Sequence, residues 1–146
     1  MKKITRTLII GAVLVAGAAF AKEGVQDPTV KARMELMDGN AAAAKVLGGM
    51  AAGKTAFDAK AAEEAKLALA TNAAGIAAAF KDPATDPVSV ASPDIWTNWD
   101  DFVAKAEALQ KAAEGMDTAS LEGVQAGMGA VGETCKGCHS VYQIKQ

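Results

Sequence analysis

Cysteine, histidine and proline are all scarce in this 146-residue chain: two Cys, one His and four Pro. Two cysteines spaced C-x-x-C cannot build the multi-bridge framework of a small secreted domain. A single histidine rules out any site that needs two imidazoles. No segment shows sustained strand alternation, which argues against a sheet. Basic residues are also too few for a nucleic-acid partner, because the chain is net negative, at −2 overall.

The first residues run basic, Met1-Lys2-Lys3-Ile4-Thr5-Arg6, then apolar from Leu8 to Phe20, and reach a small-x-small site at Ala19-Phe20-Ala21. That is the pattern of a secretory signal peptide over residues 1–21, cut after Ala21. The apolar run is shorter than the ~20 residues needed to span a bilayer, so no membrane anchor is expected in the mature form. Residues 22–146 then make one domain with a real core. Loss of Lys2, Lys3 and Arg6 leaves 12 of the 15 basic residues against 17 acidic ones, a charge of about −5.

What remains is rich in alanine and patterned for helices. Asp27-Pro28 should cap and start the first, with an apolar seam at Val30, Met34, Met37, Ala41, Ala44, Gly48 and Ala51, and an end at Gly53-Lys54. Thr55-Ala56-Phe57-Asp58 resembles a capping box for a second helix through Ala61, Ala65, Leu69 and Ile76 to about Phe80. Pro83 and Pro87 make residues 81–91 the long connection. Ser92-Pro93 opens a third helix that buries Ile95, Trp96, Trp99, Phe102, Val103, Ala106 and Leu109, and residues 115–118 turn the chain. The fourth helix should run from Ser120 to Ile144, with Leu121, Val124, Met128, Val131, Cys135 and Cys138 along one side. The fold class is therefore all-α, an antiparallel four-helix bundle. Trp96, Trp99 and Tyr142 are expected to pack, and Asp100-Asp101 to sit on a solvated face.

Both cysteines and the only histidine fall within Cys135-Lys136-Gly137-Cys138-His139. C-x-x-C-H is the attachment motif of c-type haem. Two thiols within one or two helical turns can add to the two haem vinyl groups, and the adjacent imidazole then reaches the iron. A thioredoxin-like redox pair would need a βαβ context and a helix N-terminus that lowers a thiol pKa. A zinc site would need a fourth ligand that no further Cys or His can supply. A plain disulfide would leave His139 unexplained.

With that motif near the C-terminus, V-K-A-R-M-E-L-M and V-L-G-G-M in the first helix and S-P-D-I-W before the third, the mature chain resembles the class II cytochromes c, the cytochromes c′ and their low-spin relatives. The resemblance implies a four-helix bundle with one haem c on the last helix, thioethers at Cys135 and Cys138, and His139 as proximal ligand. It implies that Arg33 meets a haem propionate, a role that suits a planar guanidinium; the plain alternative is a solvated surface arginine. Met37, one turn beyond Arg33, takes the place that holds either an iron-binding methionine or an apolar residue blocking an open distal site. Met34 is the next candidate, and both outcomes for Met37 stay open.

Cytochromes c′ commonly carry an arginine after the aromatic that follows the haem histidine; here Tyr142 is followed by Gln143. That departure leans towards electron transfer. The expected function is a periplasmic single-electron carrier with His139 and Met37 as axial pair, not an enzyme, served by redox partner proteins; the resemblance leaves both a monomer and a homodimer through the first two helices open, and the small residues Ala42 and Ala43 permit either. The alternative is a five-coordinate cytochrome c′ that binds nitric oxide or carbon monoxide. A peroxidase is weaker, since no second histidine remains as distal base.

Overall fold

The computed structural model describes residues 24–145; the signal-peptide expectation lies outside the described residues. Among the described residues five helices follow in chain order: α1 (Pro28–Ala51), α2 (Ala59–Phe80), α3 (Asp94–Thr97), α4 (Trp99–Glu114) and α5 (Leu121–Tyr142). The four long ones pack around the ring α1, α2, α4, α5 and back to α1. This is the four-helix bundle expected from the periodicity, with α3 as a single added turn.

Each start has a local cause. Asp27 Oδ1 accepts from the N–H groups of Thr29 and Val30 at 2.8 and 2.9 Å, and Pro28 follows at N1, where its missing N–H costs nothing. Ser120 caps α5 by accepting from Gly123 N at 3.0 Å. Helix α2 begins later than the sequence suggested: Asp58, not Thr55, is its cap and accepts from Ala61 N at 2.9 Å. A carboxylate is the better acceptor, and it wins over the hydroxyl three residues earlier. Gly53, at φ +68°, supplies the left-handed turn after α1.

The single third helix of the sequence reading is broken. Asn98 sits at φ −122°, ψ 45°, outside the helical region, and divides α3 from α4. Its side-chain Nδ2 donates to Asp94 O at 3.2 Å, the local side-chain-to-backbone bond by which asparagine competes with helix continuation. The break leaves Ile95 fully buried and aims the Trp96 indole N–H at Phe80 O, 2.8 Å away. Both tryptophans are half-buried packing residues, as expected.

The buried face of α1 lies one residue from the seam read in the sequence. Val30 holds, but the buried positions beyond it are Arg33, Asn40, Ala43, Leu47 and Met50, not Met34, Ala41, Ala44, Gly48 and Ala51. The core stripe passes through Arg33 and Asn40, two polar residues that an apolar pattern steps around. Met37, Ala41 and Ala44 of the expected seam instead line a cavity, Ala41 at its exposed rim.

The connection between α2 and α3 is ordered by hydrogen bonds. Asp86 accepts from the N–H groups of Gln26, Asp27 and Val88 at 2.8, 2.9 and 3.1 Å, which holds its carboxyl below the usual carboxylate range. An isolated antiparallel bridge pairs Ala91 with Gln143, flanked by Ser92 N to Tyr142 O at 2.9 Å and Ile144 N to Val90 O at 2.8 Å. The crossover is thereby fastened to the C-terminal end of α5. That end carries the C-x-x-C-H motif.

Candidate haem site

A cavity of about 250 Å³ opens between the crossover and all four long helices. Helix α1 contributes Met37, Asn40, Ala41 and Ala44; α5 contributes Cys135, Cys138, His139 and Tyr142. Ile76, Phe80, Ile95, Phe102 and Leu109 make its remaining walls largely apolar. His139, Gln143 and Ala41 are exposed, so the cavity reaches the surface there.

Cys135 and Cys138 stand at i and i+3 on α5 and therefore share a face. Both are free and half-buried, and burial pushes both thiols above the usual value. Raised, mid-helix thiols are the opposite of an activated thioredoxin-like pair. Among the described residues no group of three or more His, Cys, Asp or Glu is placed to hold a metal ion.

The donor set does suit a haem. Two thiols one turn apart, an adjacent imidazole, apolar walls and a thioether on a separate helix are what covalent attachment and axial ligation require. Cys135, Cys138, His139 and Met37 would hold it. Met34 does not line the cavity, and Met50 and Met116 are buried elsewhere in the core.

Arg33 is brought to a different place. It is 2 % exposed, so it is no solvated surface residue, and it does not line the cavity. Its Nε donates to Ala79 O at 3.0 Å, one Nη to Ala84 O at 2.9 Å and the other to Asp82 O. The guanidinium carbon lies 5.0 Å from the Phe80 ring centre and 5.3 Å from that of Trp96. Desolvation pulls its pKa below the ordinary arginine value, opposed by Asp82 and Asp27, and the group stays charged. Three carbonyls at the end of α2 and the start of the crossover are thus gathered by one cation. Arg33→Leu is expected to cost about 3 kcal/mol in urea denaturation, since hydrogen bonds to a charged group are each worth roughly 1.5–3 and these carbonyls can partly turn to water. An unchanged visible spectrum in that variant would assign Arg33 to the scaffold; a changed one would point to a propionate contact.

Sequence reasoning missed the part played by Asp101. Asp100 and Asp101 are both exposed, as expected, yet Asp101 Oδ2 accepts from the Tyr142 hydroxyl at 2.6 Å, and its other oxygen lies 3.7 Å from Lys105 Nζ. Tyr142 is buried, with its ring edge-on to Phe102 at 5.4 Å. The Asp101 hydrogen bond, followed by burial, pushes the phenol up to about 12. Tyr142 is the sole tyrosine of the chain, so tyrosinate absorbance reads it alone. Its midpoint is expected near 12 in the folded protein and lower in Asp101→Asn; a midpoint at the ordinary value of ~10 would contradict the contact. Because the unfolded phenol ionises first, the stabilisation is complete below pH ~10 and lost as pH rises towards 12.

Lys105 lines the cavity beside Cys138. It places a cation near the motif from α4, where the sequence lacks the arginine after the aromatic.

Residues 28–143 match the family Cytochrome C′. A cytochrome c-556 from Agrobacterium fabrum is 34 % identical over 153 aligned positions, covering 100 % of this chain and 97 % of that one. Two structures of similar fold are an oxidized cytochrome c556 from R. palustris (TM-score 0.73, 25 % identity, covering 83 % and 99 % of the two chains) and a nitric oxide complex of a cytochrome c prime variant from Alcaligenes xylosoxidans (TM-score 0.71, 29 %, covering 80 % and 94 %). With the C-x-x-C-H motif on its last helix and a family match across the bundle, the chain belongs to the cytochrome c′ family, the class II cytochromes c, and carries covalently bound haem c.

Proposed function

We propose that the protein is a periplasmic carrier of single electrons, with Cys135 and Cys138 as thioether anchors, His139 as proximal ligand and Met37 as sixth ligand. The observation that carries this reading is that Met37, on α1, and His139, on α5, line one cavity, and that no other described methionine does. The haem supplies the ferric/ferrous couple when bound. The chain's residues supply the rest. Packed helices hold imidazole and thioether on separate rigid elements, which limits reorganisation between oxidation states. Apolar walls exclude water, and the exposed rim at His139 and Gln143 gives partner proteins access to one edge. Among the described residues no helix is long and apolar enough to cross a membrane.

The second reading, a five-coordinate protein that binds nitric oxide or carbon monoxide, draws on the apolar cavity that Met37 lines together with Ile76, Phe80 and Leu109, and on the likeness to a nitric oxide complex. Optical spectra of the holoprotein, ferric and ferrous, with and without carbon monoxide, separate the two. Sharp α and β bands unmoved by the gas are expected. A broad high-spin ferrous spectrum that shifts on adding the gas would replace the first reading with the second.

A further inference from the structure

We propose that Asn40 is a positioning residue for the Met37 thioether, engaging one sulfur lone pair with its amide N–H so that the other is presented to the cavity. The proposal rests on Met37 as the sixth iron ligand. Asn40 follows Met37 by three positions on α1, the spacing that places side chains on one face, and its Nδ2 lies 3.9 Å from Met37 Sδ. It is only 7 % exposed and lines the same cavity.

A second observation singles the residue out. Asn40 Oδ1 is buried without a hydrogen-bond partner, alone in this among the side-chain atoms of the described residues. A half-satisfied amide in an apolar wall is destabilising, and a leucine of similar size would fill the position without that penalty. Neither helix propensity nor packing accounts for an asparagine here. The contact to sulfur does, and it fixes the amide orientation, because a carbonyl oxygen turned to the thioether would set lone pair against lone pair.

The consequence follows from the chemistry of a thioether. Its sulfur has two lone pairs, and a metal bound through either gives a different configuration at sulfur. An N–H held on one of them selects the other. The same N–H withdraws electron density from sulfur, weakening donation most where the metal is most electron-poor, so it favours the ferrous over the ferric state.

The test compares the wild-type holoprotein with Asn40→Leu and Asn40→Gln by redox titration, by the weak red charge-transfer band of thioether-ligated ferric haem, and by the ¹H NMR signal of the Met37 ε-methyl group in the ferrous protein. Asn40→Leu is expected to keep the band, shift the midpoint potential downward, and move the single methyl signal or broaden it by exchange between two sulfur configurations. Asn40→Gln, which keeps the amide on a longer arm, should restore part of both shifts. Should the leucine fail to yield holoprotein, Asn40→Ala makes the same comparison. A variant with unchanged potential and unchanged methyl signal would overturn the proposal and leave Asn40 a packing residue. Failure of the Met37 assignment looks different: the wild type would itself lack the band and the ligated methyl signal, and both ideas would fall together.

Discussion

Met37→Ala is expected to turn a holoprotein inert to carbon monoxide into one that binds it, with loss of the sharp ferrous α and β bands. The argument is one of elimination. Met34 lies outside the cavity lining, Met50 and Met116 are 5 % and 3 % exposed within the core, and Met128 packs against α1 at Gly48. Besides Met37, α1 lines the cavity with Asn40, Ala41 and Ala44, and α2 with Ile76 and Phe80, none of which offers a soft donor. The one amine on the wall, Lys105, belongs to α4 and faces Asp101. No substitute ligand is therefore at hand. The fold should survive: a fully buried Met→Ala costs ~2–5 kcal/mol, and half-buried Met37 stands at the low end. Met34→Ala is the control, and its spectra should match the wild type. A Met37→Ala protein that still refuses the gas would assign the sixth position to another group.

The parts of the fold that local chemistry determines were legible in the sequence. Asp27-Pro28 and Ser120 cap where expected because a side-chain oxygen and a proline act on their immediate neighbours. The C-x-x-C-H motif was legible for the same reason: its chemistry is contained in five consecutive residues. What depended on tertiary contact was not. Apolar periodicity placed the α1 stripe one residue away from the buried set, because Arg33 and Asn40 are polar and yet buried, each justified by partners from elsewhere or by the cavity. Asn98 breaks the third helix through a bond to Asp94 that competes with an otherwise continuous pattern. Asp101 is exposed as read, but its hydrogen bond to Tyr142 was not legible because that partner is 41 residues away in sequence. A close approach at Gly123, where a Cβ would run into the carbonyl oxygen of Asp117, was equally invisible until the α4–α5 turn was in place.

The largest effect on stability is expected from the double variant Cys135→Ser/Cys138→Ser, which removes both thioether anchors. Haem staining on a denaturing gel should disappear, since neither His139 nor Met37 makes a covalent bond that survives denaturation. Stability should fall with it. A group bound only by the folded chain stabilises the fold by mass action, and one bound covalently is never diluted away. Without it, the apolar residues around about 250 Å³ lose their contacts. At ~24 cal/mol per Å³ an unfilled cavity of that size costs up to ~6 kcal/mol, comparable with the whole stability of many domains, ~5–15 kcal/mol. Collapse of Phe80, Phe102 and Leu109 inward and entry of water at the exposed rim will recover part of that. A fall in Tm of roughly 15 °C or more is the expected result, at about 2–8 °C per kcal/mol for domains of this size range. The single variants separate the contributions: either remaining thiol should keep a haem stain, and the variant retaining Cys138, next to His139, should hold the spectrum closer to the wild type. A double variant that keeps its gel stain, or melts with the wild type, would mean that these two thiols are not what ties the haem to α5.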